Sequence, residues 1–204
     1  MKPIEAIMRT APVIPVIVID DVADAVPLAQ ALVAGGLRVL EVTLRTPAAL
    51  EAIAAMKQVE GAIVGAGTVT NAAELDAALA AGSEFIVSPG LTEPLGRAAI
   101  AAGVPFLPGT ANAGDIMRGL DFGLTHFKFF PAMAAGGLPA LKALAAPFGQ
   151  CLFCPTGGIS EATAPEWLAF DPVLCVGGSW VAPREPTDFT AIEASARAAM
   201  ALAA

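Results

Sequence analysis

The sequence predicts an α/β protein that folds as a single-domain (β/α)8 TIM barrel, and three observations lead to this class. Short runs rich in Val, Ile and Phe recur eight times along the 204 residues, at intervals of about 25 residues. Longer stretches rich in Ala and Leu separate these runs, as expected for helices that connect parallel strands. No linker or low-complexity segment interrupts the alternation. Eight such units suffice to close one small barrel.

The predicted strands are short, apolar and flanked by turn-forming residues, as is typical of strands buried on both faces. In chain order they are PVIPVIVI (12–19), VLEVTL (39–44), AIVGAG (62–67), FIVS (85–88), PFLP (105–108), HFKFF (126–130), CLFCP (151–155) and VLCV (173–176).

The predicted helices mostly begin near Asp, Thr or Asn, and many end at Gly, which are the preferred residues at the two helix ends. They cover 21–36, 46–61, 71–82, 92–103, 112–123, 137–149 and 163–170, and a last helix starts at 188. We also expect an N-terminal helix before the first strand. Residues 1–204 are then expected to form one barrel domain.

Composition and charge exclude several classes of protein. A chain that is 56% hydrophobic and 15% charged can bury a large core, which argues against disorder. Its net charge of −8 and the lack of a basic cluster argue against a nucleic-acid partner. Three cysteines are too few for a disulfide framework, so we expect a reducing, cytoplasmic location. The N-terminal residues show neither a signal peptide nor a membrane span.

Polar residues inside the barrel are the first indication of chemistry. Alternate residues of a strand point to opposite sides, so Glu41, Thr43 and Arg45 are expected to face inward together. The same alternation places Lys128 inward, between His126 and Phe130. A lysine in an apolar run loses hydration, which favours its neutral, nucleophilic amine. A buried Glu41–Lys128 ion pair that only fills the barrel explains the same pattern and stays open at this point.

Two glycine-rich turns indicate a phosphate site. CPTGGI (154–159) and CVGGSW (175–180) follow the last two predicted strands. Exposed backbone N–H groups of such turns bind phosphate, and the loops after strands seven and eight are the usual place for it in this fold.

Other chemistries find little support. Cys151 and Cys154 have CxxC spacing, but residues three apart on a strand point to opposite faces, and no second pair follows. We therefore predict no metal and no cofactor. His126 is expected to be a hydrogen-bonded interior residue, and Cys175 a small buried one. GAGTVT (65–70) lacks the glycine spacing of a dinucleotide loop.

Six motifs, in order along the chain, resemble those of the class I aldolase family of 2-keto-3-deoxy-6-phosphogluconate (KDPG) aldolase and 4-hydroxy-2-oxoglutarate aldolase. They are EVTLRT (41–46), GAGTV (65–69), SPG (88–90), FKFFPA (127–132), PTGGI (155–159) and VGGSW (176–180). The resemblance implies a barrel, usually a homotrimer, that cleaves KDPG to pyruvate and D-glyceraldehyde 3-phosphate in the Entner–Doudoroff pathway without a metal.

The resemblance also implies roles for individual residues. Lys128 would be the Schiff-base lysine, and Glu41 the general acid and base. The residues at the pyruvate end would be Arg45, Thr68 and Pro89, with Thr156 facing the substrate. The phosphate would be held by Gly157, Gly158, Gly177, Gly178 and Ser179.

Several alternatives remain compatible with the sequence. The substrate could be the galactonate epimer, 2-keto-3-deoxy-6-phosphogalactonate, or the unphosphorylated 4-hydroxy-2-oxoglutarate. A second class is a phosphate-binding barrel isomerase without covalent catalysis, in which Lys128 would only form an ion pair. A third is a non-catalytic scaffold, which the three ionisable residues Glu41, Arg45 and Lys128 argue against.

Overall fold

The computed structural model describes residues 2–203, in which short strands alternate with helices. The strands are β1 (Val13–Ile17), β2 (Val39–Thr43), β3 (Ile63–Gly67), β4 (Ile86–Val87), β5 (Phe106–Leu107), β6 (Gly109–Thr110), β7 (His126–Phe129), β8 (Leu152–Pro155) and β9 (Val176–Gly178).

All of these strands pair in parallel, and together they form a ring. Six of them form a sheet in the order β5-β4-β3-β2-β1-β9, and three form the order β6-β7-β8. Only Pro108, which has no N–H to give to a strand ladder, separates β5 from β6, so these two are halves of one strand. A parallel bridge from Thr156 to Gly177 joins the end of β8 to β9. The predicted eight-membered barrel is therefore confirmed.

The helices lie between the strands, as the sequence predicts. They are α1 (Pro3–Met8), α2 (Ala25–Ala34), α3 (Ala49–Met56), α4 (Ala72–Ala80), α5 (Glu93–Ala102), α6 (Ala113–Asp121), α7 (Gly137–Ala145), α8 (Ala164–Leu168) and α9 (Phe189–Met200), with short 3-10 turns at Val22–Asp24 and Ala201–Ala203. The side chains of Asn71, Asn112 and Asp188 each cap a helix by accepting a backbone N–H three residues on. None of the helices within residues 2–203 is long and apolar enough to span a membrane.

The predicted strand at 173–176 is misplaced. Val173 makes only an isolated bridge to Phe153, and pairing with β1 begins where the Val176 N–H donates to the Pro12 carbonyl. The apolar residues before Val176 reflect burial, since Cys175 is fully buried, together with a single bridge to β8 and not a continuous strand. Most of the other predicted strands and helices extend one or more residues beyond the observed ends. The flanking residues have the composition of the element but do not take part in its backbone hydrogen bonds.

Two apolar clusters divide the core, and strand alternation separates them. The larger, outer cluster lies between strands and helices and includes Leu40, Val42, Phe127 and Phe129. The inner cluster fills the barrel with Ile4, Met8, Ile14, Val39, Phe85, Val87, Leu107, Cys154 and Cys175. Cys151 belongs to the outer cluster, so the two cysteines of the CxxC spacing face opposite sides, as predicted.

Helix α1 closes the N-terminal end of the barrel. Its Ile4 and Met8 side chains enter the inner cluster, while Glu5 approaches His126 on β7. His126 is buried, with Nδ1 3.2 Å from the Thr125 hydroxyl oxygen and Nε2 3.6 Å from Glu5 Oε2. Nε2 has no hydrogen-bond partner among the described residues. The predicted interior position is confirmed, but only one ring nitrogen is hydrogen-bonded.

We expect His126 to lower stability at mildly acidic pH. Burial holds the pKa of His126 below its ordinary value of 6.5, despite the nearby Glu5 carboxylate. The unfolded chain therefore binds a proton first, and the free energy of unfolding falls as the pH drops through about 6.5 toward the folded-state pKa. Since this is the only histidine in the chain, His126→Gln should flatten the dependence of the urea midpoint on pH between about 7.5 and 5.5. Parallel curves for the two proteins would contradict this expectation.

Candidate active site

A buried ion pair lies inside the barrel. Lys128 on β7 and Glu41 on β2 are 4% and 3% exposed, and Lys128 Nζ donates to Glu41 Oε1 at 3.0 Å. The two residues are 87 positions apart in the sequence, and only the closed barrel brings them together. The prediction that they face the same interior is confirmed. Thr43, also inward, donates its hydroxyl to the Ile17 carbonyl at 2.8 Å and ties two strands together.

Gly67, at the end of β3, makes room for the Glu41 carboxylate. A Cβ at this position would overlap Glu41 Oε1 and lie 2.7 Å from its Cγ. Gly67 and the Glu41 side chain are both buried, so neither could move aside without disturbing its neighbours. A side chain at position 67 would thus displace the carboxylate.

Gly67→Ala is expected to reduce both catalysis and stability. The added methyl group should push Glu41 away from Lys128 and cost about 1–3 kcal/mol in the free energy of unfolding, as other overpacked sites do. We expect kcat to fall by roughly 10²-fold, the effect of misplacing a catalytic group by about 1 Å. Chemical denaturation and steady-state kinetics measure the two effects. Gly149→Ala is a control that also replaces a glycine, because a Cβ there meets nothing within 4 Å and the backbone φ is not positive. Unchanged kcat in Gly67→Ala would refute the role of Gly67.

Arg45 lies at the mouth of the barrel, just beyond the C-terminal end of β2. Its guanidinium is exposed, and Nε donates to the Thr68 hydroxyl at 3.4 Å. Thr68 has a φ of 61°, in the left-handed region that β-branched residues rarely adopt. Such strain persists where surrounding structure imposes it, commonly at functional sites. Here the strained residue is Thr68, and its hydroxyl contacts Arg45, the arginine predicted to bind substrate.

A cavity of about 280 Å³ opens at the C-terminal ends of the strands. It is lined by Val16, Arg45, Phe130, Thr156, Gly157, Gly158, Ile159, Gly177 and Ser179. Both glycine-rich turns contribute to it, although they lie about 20 residues apart in the sequence. The ion pair lies beside this cavity, because Lys128 Nζ is 5.3 Å from the centre of the Phe130 ring and Val16 pairs in register with Glu41.

The two turns present backbone donors. Gly157 and Gly158 have φ values of 107° and 78°, which favour glycine and turn the chain sharply after β8. Within residues 2–203, the N–H groups of Gly158, Ile159 and Ser179 donate to no protein acceptor. Unpaired N–H groups around a cavity favour an anion, and a phosphate fits this arrangement.

Some predicted site residues lie outside the lining of this cavity. Thr68 contacts it only through Arg45, and Pro89 packs its carbonyl against Gly109 on β6. Gly178 is buried within β9, where the absence of a side chain leaves space for the Trp180 indole ring.

Thr156 is buried under the cavity, and Gly177 leaves space for its side chain. A Cβ on Gly177 would overlap the Thr156 hydroxyl and lie 2.7 Å from its Cγ2. Gly177 therefore supports Thr156 in addition to lining the cavity.

Sequence reasoning did not select Val16, Phe130 and Ile159 as cavity residues. The alternation on β7 did place Phe130 inward, but an apolar side chain inside a barrel is not by itself a functional signal. On β1 every residue is buried, so nothing in its composition marks Val16. Among the described residues, no group of three or more His, Cys, Asp or Glu side chains is arranged to hold a metal.

Comparison with known proteins places this geometry in a family. The family model described as KDPG and KHG aldolase matches residues 4–195. A 2-dehydro-3-deoxy-phosphogluconate aldolase of Zymomonas mobilis is 61% identical over 201 residues, covering 98% of this chain and 97% of the relative.

Solved structures agree with this match. The crystal structure of the 2-keto-3-deoxy-6-phosphogluconate aldolase of Z. mobilis ZM4 with 3-phosphoglycerate has a TM-score of 0.97 and 60% identity, covering 99% of this chain and 97% of that one. The KDPG aldolase of Legionella pneumophila, with pyruvate captured at low pH as a covalent carbinolamine intermediate, has a TM-score of 0.93 and 45% identity, covering 97% and 98%. The chain therefore belongs to the KDPG and KHG aldolase family.

Proposed function

We propose that this chain is a class I aldolase that cleaves KDPG to pyruvate and D-glyceraldehyde 3-phosphate, the aldolase step of the Entner–Doudoroff pathway. The observation that carries the proposal is the buried Lys128–Glu41 pair beside a cavity lined with free backbone donors. The name of the Zymomonas relative and the covalent pyruvate adduct of the Legionella protein support it.

In this proposal Lys128 is the nucleophile. Glu41, 3.0 Å away, takes a proton from the ammonium, and the neutral amine adds to the C2 ketone of the substrate. The carbinolamine that forms loses its hydroxyl group as water, with a proton from Glu41, and the nitrogen lone pair forms the C=N bond of an iminium. The iminium is an electron sink, so the reaction needs no metal for this purpose.

Glu41 then acts again as the base for cleavage. The C4 hydroxyl gives its proton to Glu41, directly or through water, while the electrons of the C3–C4 bond move toward the iminium nitrogen. Glyceraldehyde 3-phosphate leaves, and a neutral enamine remains on Lys128. Glu41 returns a proton to C3, and water releases pyruvate and the lysine.

Binding groups fix the substrate along the mouth of the barrel. Arg45 and Thr68 bind the carboxylate end, where the guanidinium can form a bidentate contact, and Pro89 borders it. Thr156, which directly follows β8, faces the reacting carbons. The phosphate lies against Gly157, Gly158, Gly177 and Ser179, whose turns provide the free N–H groups near the cavity. Gly178, which the resemblance also assigned to the phosphate, lies beneath this position in β9.

A substrate comparison tests this assignment. We expect the highest kcat/KM for KDPG, with lower values for 2-keto-3-deoxy-6-phosphogalactonate and for 4-hydroxy-2-oxoglutarate, which lacks the phosphate that the glycine turns fit. Pyruvate release, coupled to NADH oxidation, measures all three. Equal turnover of the unphosphorylated substrate would overturn the phosphate assignment, and isomerisation of a phosphosugar without pyruvate release would favour the non-covalent barrel class.

We also propose that the 204 residues form one catalytic domain that assembles as a homotrimer in the cytoplasm. Three cysteines without disulfide partners support a reducing compartment. Light scattering should give three times the 20.5 kDa mass of the chain. A mass of one or two chains at catalytic concentrations would contradict the trimer.

A further inference from the structure

We infer that Phe130 is a charge-stabilising residue of this active site, whose ring face holds the positive charge of the Lys128 nitrogen in its ammonium and iminium forms. This inference rests on the proposed function, because an iminium forms only if Lys128 is the Schiff-base lysine.

The geometry of a cation over an aromatic ring carries the inference. Lys128 Nζ lies 5.3 Å from the centre of the Phe130 ring, within the roughly 6 Å over which a ring face attracts a cation. Lys128 is 4% exposed, and the attraction is stronger where water is excluded. Besides Glu41, the Phe130 ring is thus a second partner for this charge.

Two observations place the Phe130 ring. Its backbone N–H donates to the Thr110 carbonyl at 3.1 Å, which anchors the residue at the end of β7. A Cβ built on Gly157 would lie 3.5 Å from Phe130 Cδ2, an ordinary packing distance. The ring therefore stands between Lys128 and the first glycine turn, and it also lines the cavity.

The charge changes of the reaction define what the ring does. The Lys128 nitrogen is positive as the ammonium, neutral as the amine and carbinolamine, positive as the iminium and neutral again as the enamine. At the iminium stage the Glu41 carboxylate turns to the C4 hydroxyl proton, so the ring is the partner that stays beside the nitrogen. Phe130 thus favours the iminium over the neutral carbinolamine and enamine.

A second lysine–phenylalanine contact provides a matched control. Lys142 Nζ lies 5.7 Å from the centre of the Phe170 ring, a similar geometry. Lys142 is on α7, in the outer layer of the protein, and neither residue lines the cavity. Fluorination of Phe170 should therefore leave the chemistry at Lys128 unchanged.

Site-specific fluorination separates charge from shape. Fluorine atoms withdraw electrons from the ring face and weaken its attraction for a cation, while the ring keeps nearly the same size. We would replace Phe130 in turn by mono-, di- and trifluorinated phenylalanine and add pyruvate labelled with carbon-13 at C2. Carbon-13 NMR then distinguishes the iminium carbon from the carbinolamine carbon on the same protein.

The ratio of iminium to carbinolamine should fall stepwise with each added fluorine, by roughly 5- to 30-fold for the trifluorinated ring, as expected for loss of a desolvated cation–π contact. The Phe170 series should show a constant ratio. Phe130→Leu, which keeps an apolar wall without a ring face, should resemble the trifluorinated protein.

A constant ratio across the Phe130 series, or an equal change in the Phe170 series, would overturn the inference and leave Phe130 as a wall of the cavity. Borohydride reduction of the unmodified protein with pyruvate tests the proposed function separately. A reduced adduct on Lys128 with a constant ratio refutes only the role of Phe130. The lack of any adduct refutes the Schiff-base function and, with it, this inference.

Discussion

Replacement of Lys128 by methionine is expected to lower kcat for KDPG cleavage by at least about 10⁴-fold, the range seen when a catalytic nucleophile is removed. Methionine has a similar length and suits the apolar interior, so the loss reports chemistry more than packing. No other described lysine is placed to replace it, because Lys57 follows the end of α3, Lys142 lies on α7, and Lys2 contacts the Gly123 carbonyl. Steady-state kinetics with KDPG measures the effect.

Lys142→Met is the control for this experiment. It removes a lysine that lies over the Phe170 ring on the outer layer, and kcat should stay within about twofold of the parent value, since surface substitutions away from the site have small effects. Retention of more than a few per cent of activity in Lys128→Met would show that Lys128 is not the nucleophile.

The second large effect concerns the stability of the Lys128–Glu41 pair. Glu41→Leu alone should lower the free energy of unfolding by about 3–5 kcal/mol, because it leaves a buried charge without its partner. Replacing both residues, in Glu41→Leu/Lys128→Met, should restore stability to the parent level or above, since buried ion pairs seldom outweigh a well-packed apolar pair. The double variant should nevertheless be inactive. Urea unfolding of the two single variants and the double variant gives the coupling free energy.

This experiment distinguishes a catalytic pair from one that only fills the barrel. If the pair were kept for stability, the double variant would be several kcal/mol less stable than the parent protein. A stable but inactive double variant would indicate that the pair is retained for catalysis. The Arg97–Glu93 pair, with side chains 70% and 64% exposed, is a useful comparison because its removal should change stability by less than about 1 kcal/mol.

The sequence was sufficient to predict the barrel and the meeting of Lys128 with Glu41. Successive side chains of a strand point to opposite sides. Once one polar residue is assigned to the barrel interior, the orientation of every other residue on that strand follows. On β2 and β7, Glu41 and Lys128 provide that signal, and closure of the ring brings them to 3.0 Å. The two glycine-rich turns could also be predicted as a phosphate site, because the loops after the last two strands are the usual place for one in this fold.

Other features depend on three-dimensional packing that one sequence does not display. Val16 and Ile159 resemble many other apolar residues in the sequence, and they are recognised as part of the site only because they line the cavity of the folded chain. The left-handed conformation of Thr68 contradicts its local preference and is imposed by the surrounding structure. The final strand was misplaced because burial and strand pairing produce the same apolar signal, as residues 173–175 show.

The roles of the Phe130 ring and of Gly67 share one physical cause. Each is defined by a charged group that the fold places beside it, the ammonium of Lys128 two residues earlier in the chain in the first case and the Glu41 carboxylate of the neighbouring strand in the second. Glu41 is 26 residues from Gly67 in the sequence, and the Phe130 ring lies close to Gly157, in the turn that follows β8. Such long-range contacts require the folded chain.

The most direct test of the account is borohydride reduction of the protein in the presence of pyruvate, followed by peptide mass spectrometry. The account predicts one stable adduct, formed from the iminium and located on Lys128, and none on the Lys128→Met protein. Borohydride without pyruvate should leave Lys128 unmodified. An unmodified Lys128 in folded, pyruvate-treated protein, or an adduct on another lysine, would contradict the Schiff-base mechanism.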